Sequence, residues 1–184
     1  MRIDLQQSLN RSHIDPSALS TFQRILLTTD GTVTDMLESY FYEPIQLIKL
    51  SETLKPVAQD IPVMYLKKGT EVIDREILLR GRISRKNYIY AESIVVIERL
   101  DEDFRNELLK TKTPIGKLWL EHRIESFKEI VDSGKEPAHE KLAHYFRIEQ
   151  NTNLLFRSYC VFTNRQATMM ITEKFPESFF LNAF

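Results

Sequence analysis

Two residues in this sequence place charge where charge is expensive. In MMITEKF, residues 169–175, side chains of an extended chain alternate between faces, so Met169, Ile171, Glu173 and Phe175 point the same way. In VIDREILLR, residues 72–80, the same alternation sets Arg75 among Ile73, Ile77 and Leu79. An isolated carboxylate among apolar groups costs several kcal/mol or shifts its pKa. A guanidinium cannot shed its proton and must be met by an anion or by acceptors. Two readings follow, and spacing does not choose between them. In one, Arg75 and Glu173 bridge each other inside the fold, or Arg75 lays its stem along apolar surface and reaches water. In the other, both line one cavity: the arginine grips a small ligand's carboxylate by paired hydrogen bonds, and the glutamate addresses a hydroxyl or a proton further along it.

The other chemistry-bearing residues are less pointed. His13, His122, His139 and His144 form no zinc-type grouping and no cysteine pair accompanies them, so no metal site is expected. His122 falls on the apolar stripe of its segment and reads as a hydrogen-bonded core residue. Cys160, the single cysteine, lies on the row Leu154, Phe156, Ser158, Cys160, Phe162 and reads as a small buried hydrophobe. Arg123 and Glu125 are by default solvated helix charges, one of which could reach the cavity. No GxSxG-like elbow supports a serine nucleophile, and the five glycines are too scattered for a phosphate-cradling loop.

The elements that must position these residues are legible in outline. Asp15-Pro16 reads as a helix start with Leu19, Phe22 and Leu26 as its stripe, and TTDG (28–31) breaks the chain. A second helix carries Met36, Leu37, Tyr40 and Phe41 up to Pro44. Ile45–Leu50 and Val63–Leu66 are candidate short strands. Residues 70–100 form the strongest β signal, two β-branched and aromatic runs joined by the polar turn SRKN. Helical spacing is expected over 101–111 and again over 114–132, through Ile115, Leu118, Trp119, His122, Phe127 and Ile130. A polar stretch with Gly134 and Pro137 leads to a short helix near 138–146, and a second hairpin, LLFRSYCVF and TMMITEKF, closes at Pro176. Helices flanking an antiparallel sheet make an α+β domain.

With 184 residues a single domain is expected, residues 1–14 being a less ordered extension. The 25 Lys and Arg against 26 Asp and Glu leave a formal charge of −1, which offers no field for nucleic acid or an acidic membrane. No stretch approaches the ~20 apolar residues that span a bilayer, and a lone cysteine suits a reducing compartment, so a cytoplasmic protein is expected.

Taken in order, LLTTDGTVTDMLE, DREILLRG, YAESIVV, KTPIGKLWLEHRIESFKEI and ITEKFP resemble the chorismate pyruvate-lyase superfamily, and in particular its second type, the actinobacterial and archaeal branch. The resemblance covers residues 24–176. It implies a six-stranded antiparallel sheet with helices on it, an enclosed site, no cofactor, and conversion of chorismate to 4-hydroxybenzoate and pyruvate. It also implies roles. Arg75, in the R-E-I-L-L strand motif, would hold the substrate carboxylate, and Glu173, in the final T-E motif, would stand near the ring hydroxyl. Backbone amides at Val33 and Ile115 would assist. The enterobacterial branch carries an arginine in the stretch that aligns with Ala91-Glu92-Ser93. This chain has none there, and Arg123 is the charge nominated to replace it. Ligand-sensing domains of certain bacterial regulators share the fold. Their usual winged-helix reader is not expected here, since only about 15 residues precede the first helix. A carboxylate-binding sensor without catalysis, and an interaction protein whose Arg75 and Glu173 merely pair, are the competing classes.

Overall fold

The computed structural model describes residues 14–110 and 115–181, so His13 and the threonine-proline turn before Ile115 lie outside the described residues. Six strands form one sheet: β1 (Ile45–Pro56), β2 (Glu71–Gly81), β3 (Asn87–Val95), β4 (Phe127–Pro137), β5 (Asn153–Thr163) and β6 (Gln166–Pro176). Their order is β1-β2-β3-β6-β5-β4, and every neighbouring pair is antiparallel. Five α-helices accompany the sheet among the described residues: α1 (Thr21–Thr28), α2 (Val33–Phe41), α3 (Glu102–Lys110), α4 (Ile115–Glu121) and α5 (Glu140–Phe146). The α+β reading holds.

Local chemistry explains most boundaries. Asp15 caps only a single 3-10 turn, Pro16–Ala18; α1 starts three residues after that turn ends, where Ser20 and Gln23 close a reciprocal capping box. The β2–β3 hairpin is tied at its turn by Glu43, whose carboxylate accepts from the amides of Ile83 and Ser84 and from the hydroxyls of Ser84 and Tyr88.

Two further expected elements differ. Val63–Leu66 is not a strand: Pro62–Met64 winds into a 3-10 turn, Tyr65 adopts a left-handed conformation, and only an isolated bridge joins Ile61 to Leu66. Proline's fixed φ and missing N–H favour that turn over a ladder. The helix expected over 114–132 stops at Glu121; Arg123 turns left-handed at φ 52°, and Phe127–Pro137 becomes β4. The charged stretch KEIVDSGKEP has little intrinsic strand preference, and pairing with β5 overrides it. Its place at the sheet edge tolerates Pro137, and at Gly134 a side chain would collide with the Phe156 ring.

The apolar core divides around one gap. Leu26, Leu27, Val33 and Leu37 of α1 and α2 pack with Leu79 and Phe175, while Phe104, Leu108 and Leu118 of α3 and α4 pack with Ile73, Tyr159 and Ile171. Ile77 touches both clusters. On the reverse face Cys160 is buried with Val72, Met64 and Ala167, and burial first, then the charge of Glu129, push its thiol up to about 11. It is an inert core group.

Candidate active site

Pairing register places the two anomalous residues on neighbouring rows of one face. Glu52, Arg75, Ser93, Ile171 and Tyr159 are successive cross-strand partners, and Ile77, Ala91, Glu173 and Arg157 form the next row. Between Arg75 and Glu173 runs β3, which contributes only Ala91 and Ser93 there. Small side chains at those points leave a cavity of about 60 Å³. Ala91 and Ser93 line its floor, Arg75, Glu173, Tyr159 and Lys128 its sides, and residues 31–34 its roof.

Arg75 is 1% exposed, and among the described residues its three guanidinium nitrogens have no hydrogen-bond partner. Glu52 is nearest among its charged neighbours, with Oε2 at 3.5 Å from Nε, outside hydrogen-bonding geometry, and Glu52 is itself bonded by Lys49 at 2.8 Å. A bulge between Lys49 and Ser51 brings those two β1 residues to the same side. Burial pulls the Arg75 guanidinium below its ordinary value, against the opposing charge of Glu52. A buried, charged donor set without acceptors is unusual enough to mark a candidate binding site.

Glu173 does not pair with Arg75. Its Oε2 accepts from Arg157 Nε at 2.8 Å and its Oε1 from the Tyr159 hydroxyl at 3.0 Å. Burial, followed by the charge of Glu173, holds the Tyr159 phenol well above its ordinary pKa, so it remains a donor. Arg157 Nη1 also donates to the Thr29 carbonyl at 2.6 Å, fastening the roof segment to β5.

The roof leads into α2. Thr32 occupies the cap position without making a side-chain cap bond, so the first amides of the helix, at Val33 and after, lack an intrahelical acceptor where they meet the cavity. Such a helix start favours an anion. Val33 thus lines the cavity. Ile115 opens α4, with its side chain and the preceding turn outside the described residues. Arg123 is exposed and borders a separate surface groove with Asp101 and Glu125, and it is not among the residues that line the cavity. Lys128 of β4 does line the cavity, a residue that the local pattern hid because it reads 114–132 as helix. Arg157 and Tyr159 were missed as well, although the alternation that picked out Glu173 also sets them on one row in LLFRSYCVF.

At about 60 Å³ the cavity is smaller than the ~150 Å³ of a cavity that takes benzene, so a ring enters only if a wall gives way. The wall held by side-chain contacts to backbone carbonyls is the roof.

Known proteins share this arrangement of elements. The family described as Chorismate pyruvate-lyase Rv2949c-like matches residues 27–182. The chain belongs to this family. Relatives named chorismate pyruvate-lyase include one from Mycobacterium leprae, 32% identical over 157 residues, covering 85% of this chain and 75% of that protein. Another, from Mycobacterium tuberculosis, is 28% identical over 163 residues, covering 87% and 82%. Among solved structures, the effector domain of PhnF from Mycobacterium smegmatis superposes with a TM-score of 0.60 at 11% identity, over 79% of this chain and 88% of that one. The C-terminal domain of the histidine utilization repressor from Pseudomonas syringae gives 0.55 at 12%, over 76% and 95%. The chorismate pyruvate-lyase family and these regulator domains therefore share one fold.

Proposed function

We propose that this member of the family is a chorismate pyruvate-lyase, and that Arg75 and Glu173 are its central site residues. The observation that carries the reading is Arg75: a buried guanidinium with unsatisfied nitrogens on a cavity wall, one row from an oriented carboxylate. Arg75 takes the ring carboxylate by two parallel N–H···O bonds, helped by the first amides of α2. At the far side of the ring Glu173, both oxygens already accepting from Arg157 and Tyr159, acts on the 4-hydroxyl as a further acceptor.

The reaction asks little else of the protein. The bond from ring C3 to the ether oxygen breaks, the C4 hydrogen leaves, the ring becomes aromatic, and the enolpyruvyl fragment gains a hydrogen at its methylene to end as pyruvate. Holding the substrate in one conformation and stabilising the shifting charge are contributions that a rigid, water-poor cavity can make. The relatives named lyases match at 28–32% identity, against 11–12% for the regulator domains, which favours catalysis over sensing.

The test is to mix purified protein with chorismate, following 4-hydroxybenzoate by absorbance and pyruvate with lactate dehydrogenase. Wild type is expected to release both in equal amounts. Arg75→Ala is expected to lose turnover by about 100-fold or more while melting no lower, since it removes a buried charge with no hydrogen bond to lose. Binding of chorismate by wild type without turnover would instead identify a sensor.

A further inference from the structure

We propose that Glu52 is the positioning residue of Arg75: one carboxylate oxygen takes the Nε edge of the guanidinium and turns the Nη1/Nη2 fork toward the ligand, while Lys49 occupies the other oxygen. The inference rests on the lyase reading and deepens it. Glu52 faces Arg75 directly across the β1–β2 ladder, and Ser93 faces Arg75 on the opposite side. Glu52 is not among the residues that line the cavity, so it reaches a ligand only through Arg75. Among the described residues its buried Oε2 has no hydrogen-bond partner, and neither has Nε, Nη1 or Nη2 of Arg75. The two orphaned groups face each other, Oε2 at 3.5 Å from Nε. A shift of about 0.6 Å closes that gap to the ~2.9 Å of an ordinary hydrogen bond.

Charge and donor count both fit this arrangement. Lys49, Glu52 and Arg75 together carry a single net positive charge, so one ligand carboxylate balances them. Lys49 donates to Oε1 of Glu52 at 2.8 Å, which leaves Oε2 for the guanidinium. The bulge between Lys49 and Ser51 makes this division possible: residues three apart on a regular strand fall on opposite faces, and these two share one. Because the Lys49 ammonium sits against it, Glu52 can aim Arg75 with little repulsion of an incoming anion. A guanidinium holds its five N–H donors in a rigid plane. With the Nε edge committed to Glu52, the Nη1/Nη2 edge is the one that remains for two parallel bonds to a carboxylate. Fixing that plane before the ligand arrives lowers the entropy lost on binding.

The experiment compares wild type, Glu52→Gln and the double variant Lys49→Met/Glu52→Gln, measuring KM and kcat for chorismate and the dissociation constant of 4-hydroxybenzoate by calorimetry. Glutamine keeps the size of glutamate but accepts through one oxygen only. With Lys49 present that oxygen goes to the ammonium, and the amide NH2 is left against Nε, donor facing donor. Glu52→Gln is expected to raise KM for chorismate and the dissociation constant of 4-hydroxybenzoate together, by about 10-fold, with kcat changed less than about threefold. Removing Lys49 as well frees the glutamine oxygen for Nε, so the double variant is expected to recover most of both losses. A merely structural role predicts the reverse, since the double variant then lacks two supports instead of one. Unchanged binding in Glu52→Gln, or a double variant no better than the single one, overturns the proposal. Tighter binding in Glu52→Gln overturns it too, by making Glu52 a competitor for Arg75. Should Glu52→Gln not fold, Lys49→Met/Glu52→Gln is compared with Lys49→Met/Glu52→Leu: the glutamine is expected to bind 4-hydroxybenzoate about 10-fold more tightly, and equal affinities overturn the proposal. A wild type that neither turns over chorismate nor binds 4-hydroxybenzoate removes the lyase reading and this one with it. An active wild type whose Glu52→Gln variant is unchanged removes only the role of Glu52.

Discussion

Glu173 owes its orientation to two residues of the next strand, and the cost of losing one of them is asymmetric. Arg157 is 1% exposed and its Nε meets the carboxylate at 2.8 Å. Removing it alone leaves a buried carboxylate without its counter-ion, at a cost of about 3–5 kcal/mol. Arg157→Leu is therefore expected to lower stability by that order in urea unfolding. The double variant Arg157→Leu/Glu173→Leu should regain most of it, because an apolar pair of similar volume carries no desolvation penalty. A double variant as unstable as the single one would show that the bond to the Thr29 carbonyl, and not the ion pair, is what Arg157 contributes. Arg75 and Glu173 were both legible in the sequence as charges on apolar rows, whereas their partners were not: the nearest anion to Arg75 is on β1, and that of Arg157 is Glu173 itself.

At the level of elements, the cavity exists because β3 narrows. Ala91 faces Ile77 and Glu173, and Ser93 faces Arg75 and Ile171, so two small side chains occupy the centre of a face otherwise filled by large ones. Ala91→Leu fills that space with apolar volume. The expected outcome is loss of 4-hydroxybenzoate binding by calorimetry with a melting temperature unchanged or raised; retained binding would place the ligand elsewhere. The same site shows how an element can be misread. Lys128 enters from an edge strand whose sequence, rich in charge and interrupted by Gly134, carries a helical apolar spacing at its start. What makes it a strand is the ladder offered by β5, a partner that becomes adjacent only after the chain has returned through α5.

For the whole molecule, the β2–β3 turn is tied to the chain ahead of β1 by a single carboxylate. Burial alone would raise the pKa of Glu43, but hydrogen bonds from Ser84, Tyr88 and Ile83 outweigh it and hold the group at about 2. Its folded value lies below the ~4.3 of an unfolded glutamate. The stabilisation is therefore complete above that value and is lost as pH falls from about 4.5 toward 2. Glu43→Gln should be less stable than wild type at pH 7 in urea and should lose less on going to pH 3. An acid profile parallel to that of wild type would remove Glu43 as the sensitive group. Among the described residues no helix is long and apolar enough to cross a membrane.

The period-two alternation of a strand is a local steric property, so the sequence by itself determined which charges would face apolar neighbours, where the two hairpins turn and that helices would flank an antiparallel sheet. Which strand lies beside which, and in what register, depends on contacts between residues far apart in the chain. Only the tertiary structure could decide that Glu173 belongs to Arg157. It likewise decided that Arg75 is left with open donors over a floor of Ala91 and Ser93, and that a lysine of the cavity lining, Lys128, comes from a strand the local pattern had disguised.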